Sequence, residues 1–224
     1  TRQLIDRCDN LSAIEIDRDL IAPLQTMAAL QGRRIQLIQA DILEFDLMAF
    51  AAQEATKKIR LVGNLPYNIS TPILFHLVSA NPVIQDMHFM FQKEVVERMI
   101  APPGSRAYGR LSVMCQYHWA MSPLLNIPPW AFFPPPKVDS AFIRLVPHPS
   151  APVETGDPGA FAEVVRLAFG QRRKTLRNAL ATVLSGEDIE QAGIDPGERA
   201  EQIDLTGFAA LSRQYAPDWL KNRG

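Results

Sequence analysis

An apolar run leads directly into a polar turn in the stretch IRLVGNLPY, residues 59–67. The apolar residues predict a strand running into Asn64, and Pro66 predicts a rigid turn after it. In open parallel sheets, ligands bind outside the carboxyl ends of the strands. We therefore predict that this turn lies in a ligand site. The alternative is a plain β-turn that only closes the strand.

Strand and helix patterns alternate on both sides of this turn. Apolar runs at residues 11–16 and 35–38 predict two earlier strands, each followed by a helical segment. Strands separated in this way predict parallel pairing and hence an α/β sheet. Downstream, the patterns predict helices at residues 71–80 and 93–100, and strands at residues 83–91, 124–127 and 138–146. The last two strands are expected to form an antiparallel hairpin at the sheet edge.

The composition changes after a proline-rich linker at residues 147–156. Asp157 followed by Pro158 is typical of a helix start. Apolar stripes at residues 161–169, 176–184 and 208–215 predict further helices. We therefore predict an α/β domain over residues 1–150 and a small all-helical domain over residues 151–224.

Composition excludes several classes of protein. The chain has 224 residues, of which 47% are hydrophobic and 21% charged, as in a globular protein. Cys8 and Cys115 form no disulfide pattern, so a reducing cytoplasm is expected. We expect no metal, because the histidines never pair at ligand spacing; they are His76, His88, His118 and His148. We expect no membrane partner, because no apolar run could span a bilayer.

The turn after the third strand suits one chemical task. The Asn64 side-chain oxygen and a backbone carbonyl held by Pro66 can accept both hydrogens of an exocyclic amino group. That arrangement aims the nitrogen lone pair outward, at a methyl donor. Tyr67 can stack on the flat base and favour the positive charge that develops on nitrogen.

Acidic residues end the two earlier strands. A carboxylate at Glu15 can accept both hydroxyls of a ribose, as in dinucleotide-binding folds. Asp41 can take an adenine amino hydrogen, with Ile42 lying on the ring. The alternatives are a surface acid for Glu15 and a helix N-cap for either residue. Together with Asn64, the two acids predict a nucleoside cofactor beside an amino-group pocket.

Two further stretches suggest nucleic acid. The proline-stiffened loop FFPPPKVDS, residues 132–140, presents an aromatic ring that can clamp an extruded base, although its aromatics could equally belong to the core. Net charge is only −1, but residues 166–177 carry five basic residues and no acid. This cluster predicts either a phosphate-contacting surface or a solvated helix face.

These motifs together resemble the KsgA/RsmA family of small-subunit ribosomal RNA adenine dimethylases. The likeness spans essentially the whole chain. The matching stretches are NLPY (64–67), YGRLSV (108–113), FFPPPKVDS (132–140), QRRKTLR (171–177), GIDP (193–196) and RAE (199–201). The basic stretch and the triple-proline loop are the most specific of them.

The resemblance implies a Rossmann-like class I methyltransferase that uses S-adenosyl-L-methionine. Its expected reaction is N6,N6-dimethylation of two adjacent adenines near the 3′ end of 16S ribosomal RNA, within a small-subunit precursor. A monomer linked to ribosome biogenesis is expected.

The resemblance also implies a role for individual residues of this chain. Those expected at the cofactor are Glu15, Ile16, Asp41, Ile42 and Asn64. Those expected at the target amine and base are Asn64, Leu65, Pro66, Tyr67 and Phe132, with Tyr67 and Phe132 on either side of the base. Those expected on the RNA side are Arg172, Arg173, Lys174 and Arg177.

The chain departs from the family at its start. The family's first strand and its glycine-rich cofactor turn are expected upstream of Thr1, and residues 1–8 resemble the helix after that turn. The upstream strand is expected between the strands that end at Glu15 and Asn64. We expect the chain without these residues to bind the cofactor poorly.

Three other functions stay open. One is a large-subunit ribosomal RNA adenine methyltransferase of the resistance type, against which the basic stretch 171–177 argues. A second is a DNA adenine methyltransferase, but the chain leaves no room for a target-recognition domain. The third is a non-catalytic ribosome-assembly or nucleic-acid-binding factor on the same fold. Intact Asn64, Tyr67, Glu15 and Asp41 argue against that third reading.

Overall fold

A computed structural model describes residues 2–30, 35–55 and 58–221. It contains two compact units, one formed by Thr1–Lys57 with Phe75–Val83 and the other by Lys58–Leu74 with Ile84–Gly224. The boundary predicted at residue 150 stays a prediction.

The first unit is built around one parallel pair of strands. Its elements are α1 (Arg2–Ile5), β1 (Ser12–Glu15), α2 (Arg18–Leu30), β2 (Gln36–Gln39) and α3 (Leu47–Gln53). β1 and β2 are parallel, as predicted, with Glu15 opposite Gln39. Two aspartates start the helices: the Asp17 carboxylate accepts the Asp19 N–H at 2.9 Å, and the Asp46 carboxylate accepts the Ala49 N–H at 2.9 Å.

The second unit contains a four-stranded mixed sheet. Its strands are β3 (Ile59–Asn64), β4 (Ile84–Gln92), β5 (Trp119–Ile127) and β6 (Ser140–Pro147), in the order β3-β4-β6-β5. β3 and β4 are parallel, whereas β6 is antiparallel to both β4 and β5. The predicted antiparallel edge hairpin is confirmed. Within the described residues, β1 pairs only with β2 and β3 only with β4. The upstream strand expected between β1 and β3 stays a prediction.

The remaining elements are mainly helical. They are α4 (Ser70–Leu77), α5 (Lys93–Ile100), α6 (Arg110–His118), α7 (Pro158–Gly170), α8 (Leu176–Ala179), α9 (Gly186–Gln191) and α10 (Leu205–Lys221). Single 3-10 turns occur at Tyr67–Ile69, Pro129–Ala131 and Ala200–Gln202, and a longer 3-10 segment follows α4 at Val78–Val83. No helix in the described part of the chain is both long and apolar enough to cross a membrane.

Helix α6 was not predicted from the sequence. Most of its residues are buried, including the consecutive run from Leu111 to Cys115. A helix surrounded by protein has no polar face, so the 3.6-residue alternation that marks surface helices is missing. Strand β5 also begins earlier than predicted, at Trp119 rather than at residue 124.

The apolar stripe at residues 176–184 is not the single helix that its spacing predicted. Helix α8 ends at Ala179, and α9 starts after Ser185, whose hydroxyl accepts the Asp188 N–H at 3.1 Å. Ser185 and Asp188 form a capping box, a helix-start signal that the apolar spacing concealed.

The helical segment, residues 151–224, begins with a well-capped helix. The Asp157 carboxylate accepts the Ala160 N–H at 2.8 Å, which confirms the predicted start of α7. Five residues of α7 are fully buried: Ala160, Phe161, Val164, Val165 and Ala168. Full burial of an apolar side chain of Val or Phe size contributes about 1.5–3 kcal/mol. The preceding linker is fixed as well, because the Thr155 carbonyl accepts the Ser212 hydroxyl at 2.8 Å.

Candidate active site

Asn64 is the last residue of β3 and lies opposite Met90 of β4. Its side chain is exposed and makes no hydrogen bond to a residue within 2–30, 35–55 or 58–221. A Cβ atom at Gly63 would lie 3.0 Å from Cδ2 of Leu65, so the glycine leaves room for Leu65 to fold back. The Asn64 amide is therefore available to bind an outside group.

Pro66 starts the turn after Asn64. Its carbonyl accepts the Ile69 N–H at 3.2 Å, which begins the 3-10 turn Tyr67–Ile69. A carbonyl oxygen has two lone pairs, so one stays available for a donor from outside. The 3-10 turn leads into α4, which fixes the direction in which the chain leaves the site.

Tyr67 is anchored through its hydroxyl. The phenolic oxygen lies 3.0 Å from Oγ of Ser140, the first residue of β6. Ser140 has 0% of its surface exposed, whereas Tyr67 keeps 36%. The contact joins the Asn64–Tyr67 turn to the end of the triple-proline loop and leaves part of the Tyr67 surface accessible.

The triple-proline loop and the residues just before it present more aromatic surface than was predicted. Phe132 is half-buried, and its N–H donates to the Pro129 carbonyl at 3.1 Å. Phe133 is fully exposed and Trp130 is 82% exposed. A base held between Tyr67 and Phe132 stays a prediction. Trp130 and Phe133 were not among the predicted site residues, although their place in a proline-rich loop could have pointed to them.

In the first unit, Glu15 is the last residue of β1, and Asp41 lies two residues beyond the end of the parallel strand β2. Oε1 of Glu15 accepts the Asp17 N–H at 3.0 Å, and Oδ1 of Asp41 accepts the Leu43 N–H at 2.9 Å. Neither Glu15 nor Asp41 caps the helix that follows it, because Asp17 caps α2 and Asp46 caps α3.

One carboxylate oxygen of Glu15 and one of Asp41 has no hydrogen-bond partner in the described part of the chain. Of the two apolar neighbours predicted at the cofactor, Ile16 is 64% exposed and Ile42 is half-buried. This edge therefore offers two partly free acceptors with apolar surface beside them.

An ion cluster around one buried carboxylate ties together the strands that carry the site. Oδ1 of Asp86 on β4 lies 2.5 Å from Nε of Arg60 on β3, and Oδ2 lies 2.9 Å from Nη2 of Arg144 on β6. Burial by itself raises the pKa of Asp86, but the hydrogen bonds from Arg60 and Arg144 outweigh it and hold that pKa below its ordinary value. The carboxylate is charged at neutral pH and links three strands.

The predicted RNA-side residues differ in their surroundings. Nε of Arg172 lies 2.9 Å from a Glu201 carboxylate oxygen, and its Nη2 donates to the Arg106 carbonyl at 2.8 Å. Arg173 and Lys174 are exposed. Arg177 is also exposed, and its guanidinium lies against Gly186. Arg172 therefore has an internal structural contact that was not predicted.

Backbone hydrogen bonds join the basic stretch to the Gly193–Pro196 motif and its continuation. The Leu176 N–H donates to the Glu198 carbonyl at 2.7 Å, and the Arg177 N–H donates to the Pro196 carbonyl at 3.0 Å. Among the residues that the structure describes, no group of three or more His, Cys, Asp or Glu side chains could hold a metal ion.

Solved structures with the same fold are RNA-modifying enzymes by name. A dimethyladenosine transferase from Plasmodium falciparum superposes with a TM-score of 0.77 over 97% of this chain and 86% of its own, at 22% identity. A 23S rRNA methyltransferase superposes with a TM-score of 0.70 over 96% of this chain and 85% of its own, at 23% identity. At these identities the likeness shows the fold alone, which is that of Rossmann-like methyltransferases.

Sequence relatives define the family. A ribosomal RNA adenine dimethylase model matches residues 1–216. The chain is 53% identical to ribosomal RNA small subunit methyltransferase A of Xylella fastidiosa, over 95% of this chain and 79% of the relative. It is 52% identical to the protein of that name from Pseudomonas aeruginosa, over 96% and 80%. The chain belongs to the ribosomal RNA adenine dimethylase family, which confirms the resemblance drawn from its motifs.

Proposed function

We propose that this protein transfers methyl groups from S-adenosyl-L-methionine to N6 of two adjacent adenines near the 3′ end of 16S ribosomal RNA. The supporting observation is the Asn64–Tyr67 turn, which presents an unengaged amide at the carboxyl end of a parallel strand. It lies in a chain 50–54% identical to proteins named small subunit methyltransferase A.

The chain's own residues orient the target amine. The Asn64 side-chain oxygen and a carbonyl of Leu65 or Pro66 accept the two N6 hydrogens, so the lone pair points outward. Tyr67 and Phe132 stack on the two faces of the adenine, and their rings favour the positive charge that develops on N6. No strong base is needed, because the alkylated nitrogen is acidic and loses its proton to water. Orientation and approach therefore provide most of the rate enhancement.

The acceptors at the β1–β2 edge fit the cofactor. When bound, S-adenosyl-L-methionine supplies a methyl group activated by its sulfonium. Glu15 would hold the ribose hydroxyls with Ile16 beside them, and Asp41 would accept the adenine amino hydrogen with Ile42 against the ring. Each carboxylate keeps one oxygen that no described residue engages, which suits these contacts. Asn64 would face both the cofactor and the target amine.

We place the RNA on the helical segment, residues 151–224. The RNA phosphates would contact Arg173, Lys174 and Arg177. Arg172 would add positive charge and also stabilise this surface through its contact with Glu201. The substrate we propose is 16S ribosomal RNA within a small-subunit precursor, bound by a monomer without a metal ion. Cys8 and Cys115 are free thiols, which suits a reducing cytoplasm.

The deciding experiment measures methyl transfer onto unmethylated small ribosomal subunits by nucleoside mass spectrometry. We expect dimethyladenosine in the small-subunit RNA. Asn64→Ala should abolish product while subunit binding persists. Asn10→Ala is the matched control, because Asn10 is exposed, lies before the amino end of β1 and makes no side-chain hydrogen bond to a described residue.

Two outcomes would replace this proposal. Tight subunit binding without product would leave a ribosome-assembly factor. Product on large subunits instead of small ones would favour the resistance-type methyltransferases. The likeness to a 23S rRNA methyltransferase, at a TM-score of 0.70, does not separate these enzymes because they share the fold. The relatives at 50–54% identity favour the small subunit.

A further inference from the structure

A cleft of about 420 Å³ opens where β4 runs into α5. One wall comes from Gln92 and Glu94 at this junction. The other comes from the proline-rich segment between β5 and β6, through Pro129, Lys137 and Asp139. The volume lies in the range of sites that bind small molecules or single nucleotides, about 300–1,000 Å³.

The cleft adjoins the turn that would hold the target adenine. Gln92 in its wall pairs with Ser140 across β4 and β6. Ser140 in turn binds the Tyr67 hydroxyl at 3.0 Å. Directly opposed residues on antiparallel strands have Cα atoms about 4.5–5.5 Å apart. The cleft therefore begins one strand away from the residue that anchors Tyr67.

Aromatic surface lies on the same segment. Trp130 directly follows Pro129 of the cleft wall and is 82% exposed, and Phe133 is fully exposed. Core packing does not explain why these two residues are aromatic, because neither ring is buried. Exposed aromatic rings are surfaces on which unpaired bases stack.

The charges of the cleft favour a base edge over a phosphate. Lys93 and Lys137 face three carboxylates, those of Glu94, Glu97 and Asp139. Nζ of Lys93 lies 3.9 Å from Oε1 of Glu97, so these two charges partly neutralise each other. Carboxylates and the Gln92 amide oxygen accept hydrogens from exocyclic amino groups, whereas they repel phosphate. The chemistry selects a base that carries an amino group.

We propose that this cleft binds the nucleotide next to the adenine being methylated, with its base on Trp130 and its amino group on Glu94 or Asp139. The inference rests on the proposed function, in which the substrate has two adjacent adenines. Before either adenine is modified, the neighbour of the one held at Asn64 and Tyr67 carries an amino group that can donate to these carboxylates. A dimethylated neighbour has no N6 hydrogen left, so the cleft would set the register of the RNA for the first adenine to be methylated.

The first test removes the stacking surface in the form of the protein that is active on small subunits. Trp130→Ala should lower kcat/KM about tenfold, since stacking on an aromatic ring contributes about 1–3 kcal/mol per base. Trp130→Phe should recover most of the activity. Leu125→Ala is the matched control, because Leu125 is an apolar residue of β5 that is 62% exposed and does not line the cleft. All three should unfold at the same urea concentration as the parent protein.

The second test changes the neighbouring base. Small subunits carrying cytosine or uracil beside a single target adenine differ in one group, because cytosine has an amino group where uracil has a carbonyl. We expect kcat/KM about tenfold higher with cytosine. Replacing both carboxylates (Glu94→Gln with Asp139→Asn) should remove this preference, because amides can donate as well as accept.

The outcomes separate the inference from the function. Equal kcat/KM for Trp130→Ala and Leu125→Ala, or for cytosine and uracil, would overturn the cleft assignment while dimethylation stands. Failure of the parent protein to make dimethyladenosine on unmodified subunits would overturn the function and the cleft with it.

Discussion

The phenolic oxygen of Tyr67 lies 3.0 Å from Oγ of Ser140, which is 73 residues further along the chain. Ser140 is completely buried, and it pairs with Gln92 of β4 and Ile127 of β5, so the sheet fixes its position. The contact gives the triple-proline loop and the Asn64–Tyr67 turn a common anchor point. Tyr67 is therefore positioned by the sheet as well as by its own turn.

Removing either hydroxyl should reduce catalysis to a similar degree. Tyr67→Phe and Ser140→Ala should each lower kcat about fivefold, since a typical hydrogen bond contributes about 0.5–1.5 kcal/mol. The double variant should lose no more than either single one, because both remove the same interaction. Steady-state kinetics on small subunits would measure this, and KM should change little.

The control for this pair is Ser212→Ala. Ser212 is also fully buried, and its hydroxyl donates to the Thr155 carbonyl. This variant should lose about 1 kcal/mol of unfolding free energy but keep its kcat. Losses that multiply in the Tyr67–Ser140 double variant would show that the two hydroxyls act independently.

The basic residues should separate into binding and folding contributors. Arg173→Ala should reduce the salt dependence of subunit binding by about one phosphate contact and leave the unfolding free energy unchanged. Arg172→Ala should also lower the unfolding free energy, because Arg172 binds Glu201 and the Arg106 carbonyl. Arg166→Ala is the control and should leave the salt dependence of binding unchanged. Nη2 of Arg166 lies 2.6 Å from Oε1 of Glu163, so its charge is already neutralised. If Arg173→Ala leaves the salt dependence of subunit binding unchanged, Arg173 does not contact the RNA.

The ion cluster at Asp86 should contribute strongly to stability. Asp86→Ala removes the buried carboxylate that accepts from Arg60 and Arg144, and it should cost about 2 kcal/mol, because hydrogen bonds to a charged group are lost while both guanidinium groups stay about half exposed to water. Glu163→Ala breaks a pair on the surface of α7 and should cost less than about 1 kcal/mol. Urea unfolding at pH 7 measures both. Similar costs for the two variants would contradict the special role of the buried carboxylate.

Stability should fall on mild acidification because of one histidine. Burial, with a smaller effect of nearby His148, lowers the pKa of His118 to about 4. In the unfolded chain its pKa is about 6.5, so the unfolded state takes up a proton that the folded state excludes. This contribution, up to about 3 kcal/mol, is complete above pH 6.5 and is lost as the pH falls toward 4.

The variant His118→Phe tests the assignment, because it keeps a ring against Tyr117 and Trp119. Its unfolding free energy should change less between pH 7 and pH 5 than that of the parent protein. This range lies above the window in which the lowered pKa of Asp86 has an effect, which begins at about pH 5. An unchanged pH profile would assign the acid sensitivity to another group.

Local signals predicted much of the molecule correctly. The Asp157–Pro158 helix start, the parallel pairs and the antiparallel edge hairpin follow from rules that act within a few residues or between neighbouring strands. The motif residues could also be found, because each lies at the end of a strand or in a stiff loop whose composition is unusual.

The sequence by itself determined the family, the strand-end residues Glu15, Asp41 and Asn64, and the approximate order of the elements, since these depend on residue type and spacing. Only the tertiary structure decided what those residues touch. In the folded protein Ser140 contacts Tyr67, and Arg172 binds Glu201. Helix α6 is buried on most sides, so its sequence lacks the 3.6-residue alternation of apolar and polar residues. Contacts between residues far apart in the chain depend on how strands and helices pack, and packing leaves no local pattern by which such contacts could be read.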